Sequence, residues 1–469
     1  MERRLSCDLC VIGAGAGGLS VAAGAARLGA RVVLVEARAM GGDCLRFGCI
    51  PSKSLLAAAA RAAMLRQAPS FGVRIGAVDI DFEGVRRHIA GVIASIEPQD
   101  SEERFERLGV RVLHAHARFV GPTEVEAEGL RIRARRFVIA TGSRPAVPPV
   151  PGLSRVPFHT NETIFSLEEL PAHLLVIGAG AIGCELAQAF RRLGAEVSIV
   201  DVARMLPRED AELAGFVRGA LVEEGVRLFE EIDGLRVEDG PMLVFRHDGR
   251  ERRLSGSALL LAAGRRPNVE NLGLEEAGIR YDAGGIKVDS RLRTTNRRVF
   301  ALGDVIGGAL FTHAASHQAG IVIRNTLFRC PARARLEAVP RVLFTDPELA
   351  QSGHTEAEAS GQACEIVRLP FSENDRARCE GATRGLVKLV IGRRGRILGA
   401  GIVGRHAGEL LAPLVLAQER RMPLSALASS MLPYPTLSEL VKRAAGRYYE
   451  PMVFGPWAKR IVRALTALG

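Results

Sequence analysis

What this chain lacks narrows its class. No apolar run reaches the roughly 20 residues of a membrane-spanning helix. Residues 1–12 lead straight into an apolar strand and a glycine turn, without the layout of a secretory signal. Cysteine is sparse, with 8 in 469 residues, too few and too scattered for a secreted disulfide scaffold. Cys330, Cys364 and Cys379 have no neighbouring cysteine or histidine at metal-ligand spacing, and no metal site is expected. These absences predict a soluble cytoplasmic protein in a reducing compartment, where a disulfide would be catalytic rather than structural. A long basic run is also missing. The net charge of +11 favours anionic partners, but arginine is spread along the whole chain and no recognition motif accompanies it, so no nucleic-acid partner is expected.

What is present is a pattern that occurs twice. Residues 8–36 read DLCVIGAGAGGLSVAAGAARLGARVVLVE, and residues 174–201 read LLVIGAGAIGCELAQAFRRLGAEVSIVD. Each is an apolar strand, a glycine turn, an Ala-rich helix, a second strand and a terminal carboxylate: the dinucleotide fingerprint in its full βαβ context. Gly13 and Gly178 make the tight turn, Gly15 and Gly180 let backbone approach a pyrophosphate, and Gly18 and Gly183 let helix pack on strand. Glu36 and Asp201 stand where a carboxylate accepts ribose hydroxyls. Two complete units imply two dinucleotides. A second matched pair, FVIATGSRP at 137–145 and LLLAAGRRP at 259–267, places Gly142 and Gly264 after apolar strands that each close a nucleotide domain. From about residue 340 segments such as GLVKLVI and ILGAGIVG alternate as antiparallel strands do, with helical segments after them. The expected class is α/β, with two Rossmann-like dinucleotide-binding domains and a C-terminal α+β domain. The segments run 1–147, 148–268, 269–338 and 339–469.

Residues 41–55 read GGDCLRFGCIPSKSL. Cys44 and Cys49 open an Ala-rich helix that runs to about Arg66, where the helix N-terminus favours a thiolate. In an ideal helix the two lie about 140° apart around the axis. Bridging them demands an irregular first turn, for which Gly48 and Pro51 are suited. Cys7 and Cys10 also spell CxxC, but they sit in the first strand, where an odd offset sends side chains to opposite faces, and no redox role is expected of them. Cys184, in the second fingerprint helix, reads as packing.

On these motifs the chain resembles the pyridine nucleotide–disulfide oxidoreductase family, which includes dihydrolipoamide dehydrogenase, glutathione reductase and mercuric reductase. The likeness covers about residues 6–445. It implies FAD on the first fingerprint, a nicotinamide nucleotide on the second, and a C-terminal dimerisation domain that makes a homodimer. It implies that Cys49 is the thiol nearest the flavin and Cys44 the interchange thiol. Lys53 resembles the lysine beside the flavin and Glu185 its ion-pair partner. Asp304 resembles the carboxylate on the ribityl chain. Thr141 and Gly142 resemble the Ala-Thr-Gly stretch near FAD, with Gly42 also on that cofactor, and Phe311 to Ala315, Ala314 among them, resembles the turn at the flavin's far edge. NAD(H) is expected in preference to NADP(H), because Asp201 repels a 2′-phosphate, although Arg204 lies nearby.

The chain departs from its relatives near the C-terminus. Where disulfide-handling members have His-Pro-Thr-x-x-Glu, this sequence has YPTLSE: Tyr434 takes the histidine position and Glu439 is retained. A phenol is a poor base at neutral pH, and His406 is the nearest substitute by sequence. Mercuric reductase carries tyrosine there too, and Asp43 also resembles a mercuric-reductase-like subset. No cysteine follows Cys379, however, so the vicinal pair that receives the metal has no counterpart. The expected activity is an NAD(P)H-dependent reductase of a small disulfide, metal-ion or quinone-like acceptor. Dihydrolipoyl dehydrogenase is the alternative within the family, and a flavin-containing scaffold without turnover the alternative outside it. In the ending GPWAKRIVRALTALG, an apolar stripe (Ala458, Ile461, Val462, Leu465, Leu468) is flanked by Lys459, Arg460 and Arg463. It reads first as a helix docked on the chain's own dimer and second as a helix on an anionic membrane.

Overall fold

A computed structural model of the chain describes residues 3–328, 330–335 and 339–468. The chain forms two compact units. The first comprises Met1–Gly178, Ala189–Val200 and Ile232–Leu336; the second comprises Ala179–Gln188, Asp201–Glu231 and Glu337–Gly469. Among the described residues no helix is long and apolar enough to cross a membrane.

Two sheets with parallel centres organise the first unit. In one, Val32–Glu36 runs between Val110–His114 and Arg3–Ile12, and Leu130–Ile139 lies on the far side of Arg3–Ile12. The start of Leu130–Ile139 pairs antiparallel with Glu124–Ala127, while its last three residues pair parallel with Val299–Ala301. Its composition changes where its neighbours do. Buried Ile132 and Ala134 alternate with exposed Arg133 and Arg135, after which Phe137, Val138 and Ile139 are all buried. A parallel strand covered on both faces needs such an unbroken apolar run. In the other sheet His173–Ile177 runs parallel between Glu196–Val200 and Ala258–Leu261. An antiparallel meander, Asp233–Glu238, Met242–His247 and Arg250–Ser255, completes this part.

The first strand corrects the expected placement of Cys7 and Cys10. The amides of Asp8 and Leu9 both donate to the Arg31 carbonyl, at 2.9 and 3.2 Å. Two consecutive amides on one carbonyl mark a bulge, which shifts the alternation by one residue. Cys7, Cys10 and Ile12 therefore share one core cluster, while Leu9 and Val11 lie in the other. Both cysteines are buried. Burial pushes the Cys7 thiol up to about 11 and the Cys10 thiol well above its ordinary value, so neither offers a thiolate.

The second unit is built on a five-stranded antiparallel sheet, ordered Arg341–Leu343, Glu348–Gly353, Arg396–Gly404, Leu386–Gly392, Cys364–Pro370. Helices Ala407–Arg420 and Glu439–Val453 place Leu410, Leu414, Leu440 and Val441 in a core with Val387, Leu389 and Ile402. The alternation expected over 385–391 is not what the structure shows: every residue of Leu386–Gly392 is buried, Lys388 included. The Lys388 ammonium bonds to both oxygens of Asp210, at 2.8 and 2.9 Å, and pairs with Glu212 and Glu356. Carboxylates thus hold a charge that burial alone would expel. Asp210 also caps helix Ala211–Glu223, accepting from Glu212 and Leu213 amides.

Each glycine turn meets the end of the neighbouring strand. Gly13 has φ of +103°, and a Cβ there would fall onto the Ala140 carbonyl. Gly178 repeats this with φ of +113° and a Cβ 2.5 Å from the Ala262 oxygen. A Cβ at Gly18 would strike the Gly13 carbonyl, which is the close helix packing expected of it. At Gly15 the nearest atom to a Cβ is the Gly42 Cα, 4.0 Å away, and the backbone is extended. The fold itself therefore needs glycine at 13 but tolerates a methyl at 15. In denaturant melts of the flavin-free chain, Gly13→Ala should cost about 1–3 kcal/mol, whereas Gly15→Ala should melt as wild type. Equal losses in the two variants would contradict this division.

Candidate active site at the paired cysteines

Cys44 and Cys49 do not share one helix. Cys44 lies in the five-residue helix Gly42–Arg46, and Cys49 is the first residue of Cys49–Gln67. The break falls at Phe47 and Gly48, where a Cβ on Gly48 would sit 3.1 Å from the Asp43 oxygen and 3.3 Å from the Cys44 Cα. The irregular turn that bridging demands is therefore built, with Gly48 admitting the close approach. Pro51 is third in the long helix, where an amide would have no partner within the helix.

Both thiols are unbridged, Cys44 half-buried and Cys49 exposed. They divide one proton unequally. Its hydrogen bond with Cys44 draws the Cys49 thiol down to about 6, helped by Thr312 and the positive charge of Lys53 and opposed by burial and the Asp43 carboxylate. The same thiol–thiol hydrogen bond raises Cys44, with burial adding to it. Cys49 Sγ lies 3.5 Å from Thr312 Oγ1. Lys53 stands four residues beyond Cys49, one turn along the same helix face. The arrangement favours the thiolate at Cys49 and the protonated form at Cys44.

Asp43 is anchored by residues that the sequence reading missed. Its carboxylate accepts from Asn161 Nδ2 at 3.2 Å and pairs with Arg265 Nη2 at 3.2 Å. Arg265 also donates to Ser143 Oγ at 2.7 Å and lies 3.8 Å from Asp304, while Ser143 donates to Asp304 at 2.6 Å. Burial raises the Asp304 carboxyl, and Ser143 and Arg265 oppose it. A mostly buried guanidinium thus joins the residue before Cys44 to Asp304. The signal was present in the two matched strand ends, GSRP and GRRP, where the second carries an additional arginine at the position of Ser143.

The two fingerprint carboxylates have matching geometry. Glu36 accepts from the Ala14 amide at 2.5 Å and the Arg38 amide at 2.7 Å. Asp201 accepts from Ala179 at 2.6 Å and Ala203 at 2.8 Å. Helix Ala16–Arg27 begins at Gly15 with no side-chain cap, leaving amides for an anion. Gly42, with φ of +63°, approaches so closely that a Cβ would lie 2.6 Å from the Gly15 Cα. Open backbone at Gly15, an uncapped helix start and a carboxylate at the strand end fit the diphosphate and ribose of FAD. In the second fingerprint, nothing lies within 4 Å of a Cβ at Gly180, Gly183 is buried, and Cys184 donates to the Ala179 carbonyl.

The remaining expected residues fall in several places. Thr141 donates its hydroxyl to the Asn268 carbonyl at 2.8 Å, bracing the following chain, and Gly142 and Gly264 have φ of +69° and +113° with open space around them. Ala314 is buried in helix Thr312–Thr326. Lys53 and Glu185 belong to different compact units; Glu185 is buried and accepts from the Phe344 amide at 2.9 Å. Tyr434 is exposed and donates to Asp375 at 3.1 Å, so the carboxylate it meets is not Glu439. That bond pushes the phenol above its ordinary value, making it a still poorer base. His406 is exposed in the left-handed region, φ +57°, at the start of Ala407–Arg420. Among the described residues no group of histidine, cysteine and carboxylate could hold a metal ion.

The chain matches known proteins along most of its length. Residues 7–319 match the family described as pyridine nucleotide-disulphide oxidoreductase, and residues 339–445 match its dimerisation domain. A dihydrolipoyl dehydrogenase of Thermus scotoductus is 36% identical over 93% of this chain and 96% of its own length. A mercuric reductase of Staphylococcus aureus is 32% identical over 93% of this chain and 82% of its own. Among solved structures, a Cu(II) complex of the HOCl-induced flavoprotein disulfide reductase RclA of Escherichia coli aligns with TM-score 0.83 and 28% identity, covering 93% and 99% of the two chains. LpdA of Mycobacterium tuberculosis aligns with TM-score 0.84 and 28% identity, covering 94% and 99%.

The electrostatics of the pair can be measured without any cofactor. In the reduced protein, the rate of Cys49 alkylation should rise with pH through a midpoint near 6, because the thiolate persists until pH falls below it. An ordinary cysteine titrates at about 8.5. Thr312→Val removes a bond to the thiolate and should raise the midpoint; Asp43→Asn removes a like charge and should lower it. Site-resolved alkylation by mass spectrometry checks both directions, and a wild-type midpoint near 8.5 would contradict the shared proton.

Proposed function

The chain belongs to the pyridine nucleotide-disulphide oxidoreductase family, and from that membership we propose that Cys44 and Cys49 are the redox centre through which it reduces its acceptor. The enzyme uses FAD and a pyridine nucleotide, and its C-terminal dimerisation domain makes it a homodimer. The observation that carries the reading is geometric: two cysteines brought together across a broken helical turn, Cys49 against the Thr312 hydroxyl, with that turn seated on the first dinucleotide loop. FAD supplies the two-electron relay between nicotinamide hydride and disulfide. In our reading Gly13, Gly15, Gly18, Glu36, Gly42, Thr141, Gly142, Asp304 and Ala314 serve FAD, and Gly178, Gly180, Gly183, Asp201 and Gly264 serve the nicotinamide nucleotide. The four segments 1–147, 148–268, 269–338 and 339–469 divide the chain along these roles.

The chain's own groups account for the proton traffic. When the disulfide opens, Cys49 keeps its sulfur as thiolate beside Thr312 and Lys53, and Cys44 takes the proton. As Cys44 attacks a disulfide acceptor its proton passes to the departing sulfur, and Cys49 then displaces the second sulfur and restores the Cys44–Cys49 disulfide, so that one NAD(P)H and one proton reduce one disulfide to two thiols and NAD(P)+. Arg265 pairs with Asp43 beside this turn, a cation against the carboxylate that opposes the Cys49 thiolate.

Asp201 supports NAD(H) over NADP(H), and Arg204, the nearby cation, is engaged by Glu231 at 3.1 Å. Anaerobic titration of the purified yellow protein should show flavin bleaching by NADH, with kcat/KM for NADH well above that for NADPH, and Cys49→Ser should lose turnover with disulfide acceptors. Preference for NADPH would place Arg204 or another cation on the 2′-phosphate; full disulfide turnover by Cys49→Ser would remove the redox-centre assignment.

The acceptor class follows from Tyr434. A thiol substrate needs a base near neutral pH, and a phenol held by Asp375 is not one. This weighs against dihydrolipoamide and towards a metal-ion or quinone-like acceptor. Tyr434→His should raise turnover with dihydrolipoamide, recovering part of the roughly 10²–10⁴-fold of general acid–base catalysis, and leave metal-ion or quinone reduction nearly unchanged. The measurement is kcat/KM for each acceptor in dimeric, flavin-replete protein. Unchanged dihydrolipoamide turnover would remove Tyr434 as the determinant.

A further inference from the structure

Helix Pro456–Thr466 has no role in the reaction above. Gly455 and Pro456 start it, and none of its residues is buried in the chain. At 100° per residue, Trp457, Ala458, Ile461, Val462 and Leu465 share one side, and Lys459, Arg460 and Arg463 share the other. Trp457 is 75% exposed, Val462 58% and Leu465 61%. Met452 and Phe454, just before the helix, are also exposed. No aspartate or glutamate follows Glu450. Among the described residues, none of the three cations has an ion-pair partner.

We propose that this helix is a membrane-surface anchor, laying its apolar side into a bilayer whose headgroups are anionic. A short helix with a Trp/Leu/Ile side, a purely cationic side and low overall hydrophobicity has the form that lies in the interface plane rather than crossing the bilayer. Charge complementarity selects the occupant. Three lysine or arginine side chains without an acidic neighbour on the helix are attracted to anionic lipid. The same helix of a second copy, by contrast, brings like charges and no acidic partner, since no aspartate or glutamate follows Glu450. The match to the family's dimerisation domain ends at residue 445, before this helix begins. The apolar side that water would otherwise face is then covered by acyl chains.

Trp457 is the only tryptophan of the chain, so its emission reports insertion directly. The full-length, flavin-loaded protein is mixed with vesicles of phosphatidylcholine alone or of phosphatidylcholine with phosphatidylglycerol. Emission should shift to the blue and protein should co-sediment with the anionic vesicles at low salt. Both effects should weaken as salt screens the attraction and be small on phosphatidylcholine alone. Replacing the three cations together (K459Q, R460Q, R463Q) should weaken partition roughly a hundredfold, and Leu465→Asp should abolish the shift. Both variants should keep their flavin and their NADH-dependent turnover in solution, since no buried residue is altered. Absence of a shift on anionic vesicles at low salt would overturn the proposal. So would conversion of the dimer to monomer by Leu465→Asp without lipid, because the apolar side would then be an interface between copies.

Discussion

The geometry of the cofactor region rests on one close approach: a glycine with positive φ set against the carbonyl that ends the neighbouring parallel strand. Gly13 meets Ala140 in this way, and Gly178 meets Ala262. No side chain fits between, so the turn is held at the strand ends, and the helix that follows starts with its amides directed outward. In the first unit the constraint extends further. Gly42 packs so closely on the extended Gly15 that a Cβ on Gly42 would collide with the Gly15 Cα. Two residues later comes Cys44, so the redox turn inherits its position from the dinucleotide loop.

Given that position, the chemistry is a matter of local charge. Breaking the helix at Phe47–Gly48 lets two thiols meet that a continuous helix would hold apart. Once they share a hydrogen bond, one must be the donor, and the nearby Lys53 charge and Thr312 hydroxyl favour Cys49 as the acceptor and thiolate. Asp43 works against this, and Arg265 restrains it. Because Arg265 also reaches Ser143 and Asp304, the carboxylate read as a cofactor ligand and the carboxylate beside the thiols are joined by one guanidinium. That arrangement suits arginine, whose planar fork can serve several acceptors at once.

The second unit spends buried charge on structure. Lys388 lies in the middle of a strand buried on both faces, and Asp210 secures it while capping a helix. Such a cluster is strongly destabilised when one partner is removed, by about 3–5 kcal/mol, and it accounts for a lysine amid an otherwise apolar run.

By itself the sequence determined the paired strand–turn–helix units, the tight turns at Gly13 and Gly178 and the close packing at Gly18, the carboxylates at the strand ends and the adjacency of the two cysteines, because each depends on residues close together in the chain. Two glycine turns with their strands and helices are local objects, and spacing alone specifies them. Only the tertiary structure decided the rest. The bulge at Asp8–Leu9 that puts Cys7 and Cys10 in one cluster depends on the Arg31 carbonyl of another segment. The restraint on Asp43 comes from Asn161 and Arg265, more than a hundred residues away. The burial of Lys388 depends on carboxylates from separate elements, and the phenol of Tyr434 found Asp375 rather than the glutamate five residues on. Periodicity reports which face a residue belongs to while a strand stays regular. It carries no record of which distant donor or charge the folded chain brings against that face.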